Sequence, residues 1–163
     1  MSNELDIVLT VNGEAYPVRV ESRRTLADTL RDECGLTGTN SGCEHGICGS
    51  CTVLVDDEPV RACLMFAVQA QGRKVRTVEG LANGEELHPL QRAFIEHHAL
   101  QCGFCTPGFL MLGVSMLERV PEMTDAALRE ALSANLCRCT GYKNIVKAVR
   151  AAASEIRARS AAR

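Results

Sequence analysis

Nine cysteines stand in this 163-residue chain, and eight of them fall into two spaced groups of four. Nothing else in the sequence constrains the fold as much, because four thiols that must converge fix the course of the backbone between them. The first group is Cys43-x4-Cys48-x2-Cys51-x11-Cys63 and the second is Cys102-x2-Cys105-x31-Cys137-x1-Cys139. Cys34 lies outside both and reads as a small buried apolar residue.

The compartment decides what such cysteines do. The N-terminus, MSNELDIVLTVNGE, has no basic leading region and places Glu4 and Asp6 where an apolar signal segment would sit. The longest apolar stretch, Phe109 to Leu117, is too short to span a bilayer. The chain is therefore expected to be cytoplasmic, without membrane insertion, and its cysteines to bind metal rather than pair as disulfides. A net charge of −2 offers no partner surface for a polyanion, and 4% aromatic residues with no Trp supply no base-stacking platform. Nucleic acid is not an expected partner. No GxGxxG, Walker loop or Ser/His/Asp set is present, so nucleotide binding by this chain is not expected.

Periodicity divides the chain in two. Leu5, Ile7, Leu9 and Val11 alternate with polar residues, Asn12-Gly13 favours a type I′ turn, and Tyr16, Val18 and Val20 alternate on the return. Thr25 to Glu33 reads as a short helix capped by Thr25 and ended by Gly35. Gly38 to Gly49 is irregular. Val53 and Val55 mark a strand, Asp56 to Pro59 its turn, Val60 to Leu64 the continuation, and Lys74 to Val78 a last strand. Glu79 to Leu87 reads as a linker, and from Pro89 the pattern becomes helical. Pro89 to Ala99 forms one helix, and Thr106-Pro107 the cap and first position of a second. Thr124 caps a third with Leu128, Leu132 and Leu136 every fourth residue, and Ile145, Val149 and Ile156 place a fourth. The reading is α+β: residues 1–78 as one domain, 79–88 as linker, 89–156 as a small helical bundle and 157–163 as a flexible tail.

The opening C-x4-C-x2-C of the first group is the plant-type ferredoxin spacing for a [2Fe–2S] cluster. Gly42, Gly46 and Gly49 allow its loop to wrap closely around sulfur, since a missing Cβ permits close approach and unusual φ. Cys63, beyond a hairpin, closes the group. In the second group, Cys105-Thr-Pro-Gly and Cys139-Thr-Gly-Tyr each lead into a helix, whose N-terminal N–H groups favour an anion. Zinc is the competing reading, although C-x4-C-x2-C does not divide into two zinc hooks. A Rieske centre would need two His in place of two Cys. His45 stands alone in its loop, and His97 and His98 read as stabilising a helix end.

The stretches GLTGTNSGCEHGICGSCTVLVDDEPVRAC, LQCGFCTPGFLM and NLCRCTGYKNIV resemble the small iron–sulfur subunit of the molybdenum hydroxylases, the xanthine dehydrogenase and carbon monoxide dehydrogenase superfamily. The resemblance runs from about Leu5 to Ala152. It implies an N-terminal β-grasp, plant-type ferredoxin domain followed by a four-helix-bundle [2Fe–2S] domain. It assigns Cys43, Cys48, Cys51 and Cys63 to a distal cluster and Cys102, Cys105, Cys137 and Cys139 to a proximal one. It places Gln101 and Cys139 against a pterin, where a Gln amide both donates and accepts. It further implies a large molybdopterin subunit and a medium FAD subunit in a heterotrimer, which in relatives pairs into a dimer of heterotrimers. The substrate chemistry would lie in the large subunit and electron relay in this chain. A free-standing two-cluster ferredoxin and a zinc-bound interaction module are the alternative functions.

Overall fold

Asn12 and Gly13 both adopt positive φ, 52° and 87°, and they turn the chain between strands β1 (Glu4–Val11) and β2 (Glu14–Glu21). These pair antiparallel from Glu4 opposite Glu21 to Val11 opposite Glu14. The structure, a computed structural model, describes residues 3–120 and 122–161. The sheet is completed by β3 (Thr52–Val55), β4 (Glu58–Arg61) and β5 (Lys74–Arg76) in the order β2-β1-β5-β3-β4. Only the β1–β5 pairing is parallel. Helix α1 (Leu26–Asp28) runs on into a π-helical turn, Thr29–Glu33. The Thr25 hydroxyl accepts from the Asp28 N–H, as its cap position predicts.

Several boundaries differ from those read in the sequence. The turn after β3 uses only Asp56 and Asp57, at φ 49° and 66°, so Glu58 and Pro59 already belong to β4. Proline is tolerated there because β4 is an edge strand and loses no inner ladder bond. The strand ends at Arg61, and a 3₁₀ turn, Ala62–Leu64, presents Cys63. β5 stops at Arg76 because the Asn12 side chain takes both polar groups of Thr77, accepting from its N–H and donating to its hydroxyl, each at 2.9 Å.

The helices are α2 (Pro89–Glu96), α3 (Thr106–Arg119), α4 (Asp125–Leu132) and α5 (Lys143–Ala161). The α3 cap is Cys105, one residue before the position expected for Thr106. Helix α4 ends at Leu132, and Leu136, third in its apolar series, is half exposed. The reason is tertiary. The Leu136 N–H donates to the carbonyl of Cys48 at 2.8 Å, which pulls the segment out of helix and onto the sheet half of the molecule. Helix α5 continues through Ala161, so helical backbone covers most of the stretch read as a tail. No helix among the described residues is long and apolar enough to cross a membrane.

Contacts run α2–α3, α3–α4, α4–α5 and α5–α2, a closed ring. Helix α3 is buried continuously from Gly108 to Leu117, as a helix apolar all round must be. There are two cores, and β3 belongs to both. Its residues are buried on both faces. Val53 and Val55 pack with Ile7, Leu9, Leu26 and Leu30, whereas Leu54 packs with Phe94, Phe109 and Ile145. Alternation of side chains along a strand is what allows one element to serve two cores.

Candidate metal centres

The structure brings each sequence-predicted group of four thiols together and keeps the two groups separate. In the first, the Cys43 and Cys48 side chains interact, Cys51 and Cys63 likewise, and Cys51 lies within reach of the Cys48 charge. In the second, the Cys139 thiol lies 3.6 Å from that of Cys102, Cys105 and Cys137 pair, and Cys105 lies within reach of Cys102. Cys34 belongs to neither. It packs against the sheet core, and burial pushes its thiol up to about 11.

Backbone N–H groups point at sulfur in both groups. Cys43 Sγ accepts from the N–H of Cys48 at 3.3 Å and of His45 at 3.4 Å. Those bonds hold the Cys43 thiol down at about 6. Burial works against the Cys137 thiol, yet the hydroxyl and N–H of Thr140, at 3.1 and 3.4 Å, hold it below its usual value. Burial raises Cys51 to about 11 and Cys105 to about 12. Cys139 is raised by sharing a hydrogen with Cys102. A metal bound by these thiols would take the place of their protons, and the N–H groups aimed at Cys43 and Cys137 are donors already in place for a thiolate.

The loop glycines are where close approach demands them. Gly46 and Gly49 sit at φ +74° and +73°. A Cβ on Gly42 would lie 3.0 Å from the Phe104 ring and 3.4 Å from Cys48 Sγ. One on Gly49 would run into the side chain of Asn135 and lie 3.1 Å from its Cα. His45 is an exposed loop residue, and His97 and His98 follow α2, His97 as its C-cap. Gln101, Cys102 and Cys139 are exposed together at one end of the second group.

Two family models match, a 2Fe-2S iron-sulfur cluster binding domain over residues 9–82 and a [2Fe-2S] binding domain over residues 77–150. The nicotine 6-hydroxylase small subunit of Paenarthrobacter nicotinovorans is 54% identical over 95% of this chain and 93% of its own. The caffeine dehydrogenase subunit gamma of Pseudomonas sp. strain CBB1 is 55% identical over 88% of each. The chain belongs to the small iron–sulfur subunits of the molybdenum hydroxylases. Among solved structures, quinoline 2-oxidoreductase from Pseudomonas putida 86 matches this subunit at a TM-score of 0.91 and 50% identity, covering 96% of this chain and 98% of that one. Aldehyde oxidoreductase from Desulfovibrio gigas matches at 0.89 and 40% identity, over 95% of this chain but only 17% of that longer one.

Four residues of the subunit matter to the two groups through contacts that the sequence reading did not assign to them. Gly108 of α3 abuts the backbone of Gly49 and Ser50. Tyr142 accepts from the Cys137 N–H at 3.1 Å, donates to the Asn135 carbonyl at 3.2 Å, and stacks edge-on against Phe109 at 6.1 Å. Asn135 is fully buried with both ends of its side-chain amide unpartnered. Arg61 reaches the carbonyl of Ala134, 73 residues away. Gly108 and Tyr142 close the Cys105-Thr-Pro-Gly and Cys139-Thr-Gly-Tyr entries, and Arg61 and Asn135 lie inside the quoted stretches, but nothing local in the sequence gives these contacts.

Proposed function

We propose that Cys43, Cys48, Cys51 and Cys63 hold a distal [2Fe–2S] cluster and Cys102, Cys105, Cys137 and Cys139 a proximal one. Electrons pass through this subunit from a molybdopterin-bearing large subunit to FAD in a medium subunit. The donor sets fit: each is four thiols with N–H donors aimed at sulfur. Zinc would take four thiolates on one ion, whereas a two-iron cluster spreads its thiolates over two metals. When bound, such a cluster takes up and gives back one electron at a time. The fold is read as a β-grasp domain and a four-helix bundle, with the boundary near Val78, and the assembly as a cytoplasmic heterotrimer.

One observation carries the relay. The Leu136 N–H bonds to the carbonyl of Cys48, a residue of the distal group, and the next residue after Leu136 is Cys137 of the proximal group. The two groups are thus joined by a few covalent bonds and one hydrogen bond of 2.8 Å. Exposure of Cys102 and Cys139 beside Gln101 supports the entry point, because electrons must enter where a partner's cofactor comes close. The Gln101 amide, with a donor and an acceptor, and Cys139 Sγ are the groups proposed to meet the pterin. Gly42, Gly46 and Gly49 let the distal loop close over sulfur, with the loop's edge left for the flavin-bearing partner.

The test is an EPR spectrum of the dithionite-reduced subunit with iron and acid-labile sulfide counted on the same sample. About four of each per chain and two separable signals are expected. Cys48→Ser should alter one signal and Cys105→Ser the other. Both signals changing alike in either variant, or zinc in place of iron, would overturn the assignment.

A further inference from the structure

Arg61 ends β4, two residues before Cys63, and its guanidinium spans the seam between the two thiol groups. Nη2 donates to the Ala134 carbonyl at 2.6 Å, Nε donates to the Gly46 carbonyl at 3.4 Å, and Nη1 donates to the Thr52 hydroxyl. Thr52 passes the connection on, its hydroxyl donating to the Gly49 carbonyl at 2.6 Å. Gly46 lies between Cys43 and Cys48, Gly49 lies between Cys48 and Cys51, and Ala134 stands three residues before Cys137. One planar fork therefore ties both turns of the distal loop to the segment that leads into the proximal group. Lysine, a point donor, has no such geometry.

Every acceptor of this fork is neutral. Arg73, Arg76, Arg92 and Arg119 each meet a carboxylate, but among the described residues none lies within ion-pair distance of Arg61. A half-buried, uncompensated cation between two anionic centres favours added negative charge on both. Its leverage is greater on the distal side, where two of its three bonds lie. Its bond to Ala134 also anchors the short run whose Leu136 N–H reaches Cys48. Asn135, buried between those two anchored residues, has no bond of its own that would hold the run in place through its side chain.

Given the proposed two-cluster reading, we infer that Arg61 is a positioning residue for electron transfer: its charge eases reduction of the distal centre, and its fork fixes the Ala134–Leu136 link between the centres. Reduction here is a one-electron gain, with dithionite as the donor, and no bond is made or broken. The chain with its iron gains one negative charge, which is the charge Arg61 faces.

The experiment is a mediated redox titration of the iron-loaded full chain, followed by EPR, on the wild type, R61Q and R61K. R61Q should lower the distal reduction equilibrium about tenfold, about 59 mV for one electron, with a smaller shift at the proximal centre. R61K, which keeps the charge, should stay within about twofold of the wild type. L136E tests the charge argument without disturbing the fork, since Leu136 is half exposed. A carboxylate there should lower the distal equilibrium about twofold or more. If wild type holds two clusters and both R61Q and L136E leave the potentials unmoved, the inference falls and the cluster assignment stands. An R61K shift as large as that of R61Q would equally overturn the role of charge. If wild type itself lacks two clusters, the assignment fails first and takes the inference with it.

Discussion

Gly108→Ala should destabilise the subunit although it replaces a glycine in the first turn of α3 with the best helix former. Alanine for glycine contributes at most about 1 kcal/mol, the value for a helix interior. Here a Cβ would lie 3.0 Å from Ser50 Cα and 3.1 Å from the carbonyl carbon of Gly49, and closer still to the Gly49 oxygen. Carbon atoms rest at about 3.5–4.0 Å, so the overlap is about 0.5 Å or more, against backbone that has no rotamer to yield. Overpacking of that kind costs about 1–3 kcal/mol, and rigid backbone on both sides favours the upper end. Set against the propensity gain, the net loss is about 2 kcal/mol, or roughly 4–8 °C in melting temperature for a chain of this size. Gly113→Ala, one and a half turns on, is the control. Its Cβ would meet Leu90 Cδ2 at 2.8 Å, the far end of a side chain that can rotate away. That variant should match or exceed the wild type. Thermal melts of the iron-loaded proteins by far-ultraviolet circular dichroism check both. G108A melting at or above G113A would refute the reasoning, because it would mean that α3 and the distal loop do not meet as closely as Gly108 implies.

Acidification should weaken the entry to α2. His88 Nδ1 accepts from the Leu90 N–H at 3.1 Å, and burial holds its pKa below the ordinary value. The unfolded chain therefore binds the proton first, so stability is full above about pH 6.5 and falls as pH drops through the window beneath it. His88→Asn, which caps without titrating, should flatten that part of the urea-midpoint profile; identical slopes in wild type and H88N between about pH 7 and 5 would refute this. Removal of iron should loosen the sheet half, since its long loop from Gly38 to Ser50 forms no strand or helix and depends on its thiols being tied. Hydrogen exchange should then rise over residues 38–51 well before α3; equal protection with and without iron would contradict it.

Local chemistry made half of this molecule legible and long-range contact made the other half invisible. Asn12-Gly13 predicted its hairpin because positive φ at two successive residues is a local demand. The cysteine spacings predicted two convergent groups because each spacing limits where its thiols can meet. Leu136 misled because a four-residue repeat says nothing of the Cys48 carbonyl that draws it away. Thr77 ended a strand on account of Asn12, 65 residues earlier. Arg61, Gly108 and Asn135 are silent in the sequence for the same reason. Arg61 looks like a strand residue, Gly108 like a poor helix former and Asn135 like a loop, until the two halves of the molecule are placed together.

The dual membership of β3 has a consequence for electron flow. Tunnelling between centres falls off exponentially with separation, so a hinge between two cluster-bearing halves would make the rate fluctuate with every opening. A strand whose Val53 and Val55 are held by one core and whose Leu54 is held by the other cannot follow both halves if they part. Opening would strip one face or the other of β3 to water. On the proposed two-cluster reading the subunit is a fixed gauge: the gap between its centres is set once, at folding, by the strand that both cores share.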